Sequence, residues 1–144
     1  MHLNTISWPE VGHKFSKKHQ FDVEQVRAFA LAAGDTNPIH HDVQAAASSR
    51  FKRLIASGTH TTALILGLTA SHFSENFSVL GVSFSVELLR PVFADASVLI
   101  EWEVVAVTVK SERSRRVELR GAMLDDEGRL CVQASGVVQV ARGV

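Results

Sequence analysis

The fold is decided by one apolar stretch, HTTALILGLTASHF, at His60–Phe73. Its apolar residues cover most of the circumference of a helix, and a helix that is apolar on nearly all sides is buried in a protein core. The most apolar part, Ala63–Leu68, is far shorter than the roughly 20 residues that span a bilayer. The sequence therefore predicts a buried central helix and no membrane segment.

Strand-like alternation of apolar and polar residues follows this helix. It occurs at Leu80–Leu88, Val98–Val109, Arg115–Leu124 and Leu130–Val140. In the second of these runs Trp102 lies on the face opposite its glutamate neighbours. Between the last two runs, Asp125–Gly128 has the sequence of a hairpin turn. With one more strand between Val11 and Phe21, the pattern predicts an α+β fold in which an antiparallel β-sheet of about five strands covers the central α-helix.

Length and composition narrow the class of protein. The chain has 144 residues, 46% of them hydrophobic, and a formal net charge of +0, so residues 1–144 are expected to form a single domain. The balanced charge argues against disorder and against a nucleic-acid partner. The chain has one cysteine, Cys131, in a strand-like run, and no signal peptide is expected at the N-terminus. A cytoplasmic protein with a packed thiol is the expectation.

A second predicted helix, Phe21–Ala33, precedes the most reactive side chains of the chain. Asp22 is suited to its N-cap, and Gly34 lies where the residue just beyond a helix C-terminus is often glycine. The residues after Gly34 are therefore predicted to leave the helix in a tight turn.

This turn, GDTNPIH at Gly34–His40, holds a carboxylate and an imidazole five positions apart. Pro38 restricts the backbone, so Asp35 and His40 are expected to lie on a stiff turn, as a candidate acid–base pair. The same sequence also suits an ordinary turn, in which Asp35 bonds nearby backbone and His40 is a surface or core histidine. The spacing alone leaves both interpretations open.

Three segments resemble one known family. FALAAGDTNPIH at Phe29–His40 is similar to the signature of the MaoC-like, or (R)-specific enoyl-CoA hydratase, family. LIASGTHT at Leu54–Thr61 resembles the family's second element, and ELLRPV at Glu87–Val92 resembles its Arg-Pro element. The chain is thus identified as a member from about Phe21 onward. The resemblance implies a hot-dog fold, in which the sheet wraps a long central helix, and a homodimer or higher homo-oligomer.

The resemblance also implies a reaction. Members of the family are lyases that interconvert a trans-2-enoyl thioester and an (R)-3-hydroxyacyl thioester, carried on coenzyme A or acyl carrier protein. The addition of water needs a base, an acid and a donor for the enolate-like oxygen. Asp35 and His40 are expected to be base and acid, in an order that the sequence leaves open. The backbone N–H of Gly58 is the expected oxyanion donor, although a glycine there also suits close packing.

Substrate contacts are expected from residues near these groups: Asn37, Ser57, Thr59 and His60. Asn37 could instead only orient the turn, and His60 could only bond its neighbours. Ser57 stands where many members of the family have histidine, which leaves the role of that histidine unfilled. His41 is expected to face solvent.

Neither a cofactor nor a metal is expected. The remaining histidines, His2, His13, His19 and His72, are scattered singly along the sequence, without the spacing of a zinc site. The phosphates of coenzyme A would need cations, for which the candidates are Arg50, Lys52, Arg53, Arg113, Arg115 and Arg116. Such charge clusters also occur on ordinary solvated surfaces.

Two other functions are compatible with the sequence. A hot-dog acyl-CoA thioesterase would use the same helix N-terminus to polarise a thioester carbonyl, but the Asp-x-Asn-Pro-x-His element resembles the hydratases more. A non-catalytic acyl-thioester binding module would not need the intact pair of Asp35 and His40. The sequence therefore favours a hydratase or dehydratase.

Overall fold

The computed structural model describes residues 6–143. Its helices are α1 (Val23–Ala32), α2 (Val43–Ser48) and α3 (Gly58–Ser74), with a 3-10 turn at Pro38–His40. Its strands are β1 (Lys14–Gln20), β2 (Ser78–Leu88), β3 (Ser97–Ser111), β4 (Ser114–Leu124) and β5 (Leu130–Ala141). They form one sheet of order β1-β3-β4-β5-β2, in which all neighbours are antiparallel.

Helix α3 is the central helix that the sequence predicts, but only one of its faces is buried, since Ala63, Gly67 and Ala70 are exposed. Ile65 in its middle has no exposed surface, and Trp102 of β3 is 2% exposed. The indole Nε1–H of Trp102 donates to the carbonyl oxygen of Ile65 at 2.8 Å, which ties the sheet to the helix. Gly121 of β4 lies against the same indole, where a Cβ atom would come within 2.5 Å of the ring. Among the described helices none is long and apolar enough to cross a membrane.

Strand β2 departs from the predicted alternation at its start. Its register with β5 shifts between Gly81 and Ser83, so that Val82 lies in a bulge. Beyond the bulge Phe84 is half-buried against the core, but before it Leu80 is 74% exposed. The prediction that Leu80, Val82 and Phe84 share one half-buried face is wrong, because the extra residue of a bulge reverses the faces of the strand.

The two edges of the sheet differ in character. Edge strand β1 presents exposed lysines, Lys14, Lys17 and Lys18. Edge strand β2 carries a single charged residue, Glu87, and exposes Leu80 and Val82. Lysines on an edge strand oppose pairing with another sheet, and an uncharged apolar edge permits it.

Candidate active site

The backbone of Asp35 is fixed by the end of helix α1. Gly34 takes the left-handed conformation, with φ of 76°, which ends the helix as its sequence predicts. The N–H of Gly34 then donates to Leu31 at 3.0 Å and the N–H of Asp35 donates to Ala30 at 2.8 Å. These two bonds form a Schellman motif, and they aim the chain so that the Asp35 side chain leaves the helix toward α3.

The turn that follows is held by its own side chains. The N–H of Asn37 donates to Asp35 Oδ1 at 3.1 Å, and the N–H of Ile39 donates to Asn37 Oδ1 at 3.3 Å. Pro38 begins the 3-10 turn that ends at His40. Asn37 is exposed and its side-chain oxygen caps this turn, which is the orienting role weighed for it in the sequence.

His40 is buried, with 5% of its surface exposed, and each of its ring nitrogens faces a polar neighbour. Nδ1 lies 2.8 Å from the carbonyl oxygen of Ile55, and a carbonyl only accepts, so Nδ1 carries a proton and donates it. In the neutral ring Nε2 is then the proton acceptor. It lies 3.3 Å from Asp35 Oδ2.

The pair therefore presents two acceptors to the same point in space. Neither a carboxylate oxygen of Asp35 nor an unprotonated Nε2 of His40 can donate to the other, but a water molecule can donate one proton to each. When Nε2 takes up a proton, it becomes a donor to the neighbouring carboxylate and the ion pair is favourable. This geometry can bind a water, remove a proton from it and hold that proton.

Two hydroxyl groups at the start of α3 are linked to the carboxylate, one directly and one through the other. Ser57, which has no exposed surface, donates from Oγ to Asp35 Oδ2 at 2.6 Å. Thr59 Oγ1 lies 2.6 Å from Ser57 Oγ. Ser57 Oγ also accepts from the N–H of Thr59 at 3.3 Å and so caps the helix. The substrate contact predicted for Ser57 and Thr59 stays a prediction; in the structure Ser57 bonds Asp35 directly and Thr59 is linked to it through Ser57.

Hydrogen bonding lowers the pKa of Asp35. The Ser57 hydroxyl, followed by the N–H of Asn37, holds the pKa of the Asp35 carboxyl below its ordinary value of 3.8. Burial acts in the opposite direction, and the neighbouring His40 and His41 lower the pKa further. Asp35 is a carboxylate across the neutral pH range.

His41 supports the turn from behind. It is half-buried, and its Nε2 donates to the backbone oxygen of Asp35 at 2.7 Å. Arg27 of α1 in turn donates from Nε to the backbone oxygen of His41 at 2.9 Å. The prediction that His41 faces solvent is wrong, because the folded turn brings its ring back over the residue six positions earlier.

Gly58 lies at the first position of α3, beside His40. Within residues 6–143 its N–H has no hydrogen-bond acceptor, as expected at a helix N-terminus. A cavity of about 230 Å³ opens here and is lined by His40, Arg50, Gly58, Thr61, Leu88 and Arg90, among others. A Cβ atom on Gly58 would lie 2.5 Å from Leu88 Cδ1, so the glycine permits the close approach of this side chain.

Larger cavities elsewhere lack this chemistry. One of about 560 Å³ adjoins Trp102 and Arg120, and another of the same size adjoins Trp8 and His72. Neither is lined by His40, which lines the smaller cavity, while Asp35 lies 3.3 Å from His40 and lines none of these three cavities. The lining residues, and not the cavity volume, are the reason for placing the candidate active site at the smaller cavity.

His60 is not brought to this cavity. Its ring is 2% exposed, stacks on Phe29 at 4.3 Å between ring centroids, and meets Phe21 edge-on at 5.1 Å. Burial, and then the charge of His19, lower the pKa of His60, so the ring is neutral in the folded protein. Its Nδ1 is buried and has no hydrogen-bond partner among the described residues. The structure shows a packing contact for His60, the alternative that the sequence left open.

The candidate cations are divided between two regions. Arg50 lines the cavity, and so does Arg90, which the sequence did not single out. Arg53 packs over the ring of Phe93 at 3.7 Å and pairs with Asp95 at 3.8 Å. Arg115 instead lies 4.1 Å from the centroid of the ring of Trp8, outside the lining of this cavity.

Three side chains considered for other chemistry lie apart from Asp35 and His40. His13 and His72, far apart in sequence, meet through their Nε2 atoms at 2.8 Å. Over the described range, however, no group of three or more potential metal ligands is found. Cys131 is buried, and burial raises the pKa of its thiol, so it is a packed thiol as predicted.

The five-stranded sheet around α3, with Asp35 and His40 side by side near the helix N-terminus, is that of a hot-dog protein of the hydratase and dehydratase class. The sequence model of the MaoC like domain matches residues 7–123, and the chain belongs to the family that this model describes. The fold and the class of enzyme predicted from the sequence are thereby confirmed.

Individual relatives agree with this assignment. The chain is 33% identical over 132 residues to an (R)-specific enoyl-CoA hydratase of Aeromonas caviae, which covers 91% of this chain and 95% of the relative. The solved structure of an (R)-hydratase from A. caviae involved in PHA biosynthesis superposes with a TM-score of 0.82 at 29% identity, covering 90% of this chain and 96% of that one. R-hydratase PhaJ1 from Pseudomonas aeruginosa, at 23% identity, shares the fold with a TM-score of 0.80, covering 94% and 88%.

Proposed function

We propose that the protein adds water reversibly to a trans-2-enoyl thioester and forms the (R)-3-hydroxyacyl thioester. The observation that carries the proposal is the pair of Asp35 and His40, 3.3 Å apart, beside the cavity that Gly58 lines. Similarity to the (R)-specific enoyl-CoA hydratase of Aeromonas caviae supports the substrate and the configuration. The whole chain acts as one MaoC-like domain.

His40 carries the proton in this reaction. Water donates one hydrogen bond to Nε2 of His40 and one to Asp35, and its oxygen attacks the β-carbon. The proton passes to Nε2, and the imidazolium is stabilised by the Asp35 carboxylate, which accepts the hydrogen bond of Ser57. Nε2 then gives the proton to the α-carbon. Hydroxyl and hydrogen have then both been added to the double bond, without a cofactor.

Gly58 supplies the electrostatic part of catalysis. When the hydroxyl adds to the β-carbon, negative charge moves to the thioester oxygen, which needs a donor that is already oriented. The N–H of Gly58 points from the N-terminus of a helix of 17 residues, where the partial positive charge of the helix adds to the hydrogen bond. The thioester oxygen binds this N–H, and the β-carbon then faces the pair.

Arg50 and Arg90 bind the anionic part of the carrier. Both line the same cavity as His40, and both are exposed. Guanidinium groups bind phosphate oxygens through two parallel hydrogen bonds, and the thioester substrate carries phosphate on either coenzyme A or acyl carrier protein. Lys52 and Arg53, outside the lining of this cavity, are less suited to this contact.

The protein works as a homodimer in the cytoplasm. The apolar edge strand β2 is free to pair with a second copy, while the lysines of β1 oppose pairing at the other edge. Related folds are known as assemblies, among them the ChsH1–ChsH2 complex from Mycobacterium tuberculosis. The buried thiol of Cys131 suits a reducing compartment.

The decisive experiment follows both possible products of crotonyl-CoA. The expected result is loss of the enoyl absorbance, formation of (R)-3-hydroxybutyryl-CoA and no free thiol, because the C–S bond is untouched. Asp35→Asn should abolish the loss, and Asp126→Asn, the same change at an exposed site, should not. Thiol release in step with enoyl loss would assign a thioesterase instead. Binding without turnover, over several acyl lengths, would assign a binding module.

A further inference from the structure

The hydroxyl of Ser57 is fully buried and lies between two other side-chain oxygens. Its Oγ lies 2.6 Å from Asp35 Oδ2 on one side and 2.6 Å from Thr59 Oγ1 on the other. A carboxylate can only accept, so the single proton of Ser57 points to Asp35, and Thr59 must be the donor of the second bond. The three residues therefore form a chain with one direction, from Thr59 through Ser57 to Asp35.

We propose that Ser57 and Thr59 are positioning residues, whose hydroxyl chain holds the Asp35 carboxylate in the orientation that faces the reacting water. The proposal rests on the hydratase function given above and extends it to residues that were expected to touch the substrate. Ser57 stands where many members of the family have histidine. The proposal gives this serine a role of its own, the orientation of Asp35.

The geometry leaves Asp35 little freedom. Oδ2 accepts from Ser57 Oγ and lies 3.3 Å from His40 Nε2, and Oδ1 receives the N–H of Asn37. The Asn37 bond comes from the turn itself, but the Ser57 bond comes from α3 and fixes the carboxylate relative to Gly58. Loss of the hydroxyl would free Oδ2 to rotate away from the water that His40 also binds.

The electrostatics agree with this geometry. Among the influences on Asp35, the Ser57 hydrogen bond is the largest that lowers its pKa, ahead of the Asn37 N–H and of the charges of His40 and His41. These two histidines are the titratable groups that face Asp35, and Arg27 contacts His41 only through a backbone oxygen. Removal of the hydroxyl should therefore raise the pKa of Asp35.

A purely structural role for Ser57 must be separated from this one, because its Oγ also caps α3 by accepting the N–H of Thr59. The chain offers a variant that does so. Thr59→Val removes the hydroxyl of Thr59 and keeps its backbone N–H, so the cap survives and only the hydroxyl chain is cut. Thr59 is exposed, so the substitution should leave the fold intact. Thr62→Val, the same change elsewhere on α3, is the matched control.

The test combines a titration with kinetics on the full chain. Proteins labelled with carboxyl-¹³C aspartate are titrated by NMR, and the Asp35 signal is assigned by its absence in Asp35→Asn. The pKa of Asp35 should rise in Ser57→Ala, rise less in Thr59→Val, and stay at the wild-type value in Thr62→Val. On crotonyl-CoA, Ser57→Ala should lose about tenfold in kcat, the usual scale for a lost hydrogen bond to a charged group, with less change in KM.

The outcomes are distinct. Thr59→Ser, which keeps the hydroxyl, should leave the pKa of Asp35 nearer to the wild-type value than Thr59→Val does. An Asp35 titration that is the same in wild type and in folded Thr59→Val and Ser57→Ala would overturn the proposal, and if Ser57→Ala does not fold, Thr59→Val alone decides it. Absence of hydration by the wild type would refute the proposed function, whereas the titration would still report on the hydroxyl chain.

Discussion

His40 and Ile55 are joined by a hydrogen bond of 2.8 Å between Nδ1 and a backbone oxygen. Since the acceptor belongs to the main chain, no side-chain replacement at position 55 removes it. The bond selects one tautomer of the imidazole and leaves Nε2 as the atom that exchanges protons. Two groups of this segment therefore contact the proposed acid–base pair: the Ile55 carbonyl bonds His40, and the Ser57 hydroxyl bonds Asp35.

The acid–base pair should fail as a unit. Asp35→Asn and His40→Gln should each lower kcat for crotonyl-CoA by at least about a hundredfold, the usual contribution of a general acid or base. The double variant should lose little more than either single one, since both groups act on the same water. Initial rates and circular dichroism of the purified variants check this. Hydration retained by either folded single variant would exclude that residue from the mechanism.

Activity should depend on the absence of a side chain at Gly58. A Cβ on Gly58 would meet Leu88 Cδ1 at 2.5 Å, and Leu88 lines the cavity, so Gly58→Ala should displace it into the space for the thioester. We expect a loss of about tenfold or more in kcat/KM, below the hundredfold or more that follows full loss of an oxyanion donor. Gly58→Ala combined with Leu88→Ala should recover much of it. A double variant as slow as Gly58→Ala would show that crowding by Leu88 is not the cause.

The arginines of the cavity should affect binding more than turnover. Arg90→Gln and Arg50→Gln should each raise KM for crotonyl-CoA about tenfold, the scale of a charge-assisted hydrogen bond, with kcat nearly unchanged. The matched control is a change of substrate. Crotonyl-N-acetylcysteamine carries the same acyl group without phosphates, and its kinetics should not respond. An equal effect on both substrates would place the arginines at the acyl group instead.

His60 should make the fold less stable in mild acid. Its pKa is lowered from 6.5 in the folded state, so below about pH 6.5 the unfolded chain binds the proton more readily and stability falls as the pH falls. His60→Phe keeps an aromatic ring between Phe21 and Phe29 and removes this proton. Melting temperatures measured from pH 7.5 down to pH 5.5, values chosen on either side of that midpoint, should decline less in the variant than in wild type. Parallel declines would mean that other groups, such as His72, account for the whole effect.

The assembly should depend on edge strand β2. Light scattering at micromolar concentration should give about twice the 15.7 kDa of one chain. Leu80→Lys places a charge on this edge and should shift the mass toward the monomer, because lysine opposes edge pairing. Val109→Lys makes the same change at an exposed position on β3 and is the control. A monomeric wild type would refute the dimer.

The parts of the site that follow local rules were predictable. Asp22 caps α1 at 2.8 Å from the N–H of Gln25, and Gly34 ends it, because caps are decided by a few neighbouring residues. The apolar run of α3 likewise identifies the central helix, although only one of its faces is buried in the structure. The turn that holds Asp35 and His40 follows from the same local chemistry.

The remaining features depend on residues far apart in the chain. Ser57 meets Asp35 across 22 positions, and nothing in either segment fixes that distance. The bulge at Val82 is decided by pairing with β5, so the local alternation of β2 misplaces Leu80. His60 was ambiguous because a helix that is apolar on all sides does not reveal which face a polar residue occupies.

The hydrogen bond from Trp102 to the middle of α3 has a practical consequence for studies of folding. The chain has two tryptophans, and the other, Trp8, lies under the guanidinium groups of Arg115 and Arg142. In a Trp8→Phe background the emission of the indole at Trp102 would report when the helix docks onto the sheet during refolding. The enzyme thus contains its own fluorescent probe at the contact between the sheet and the central helix.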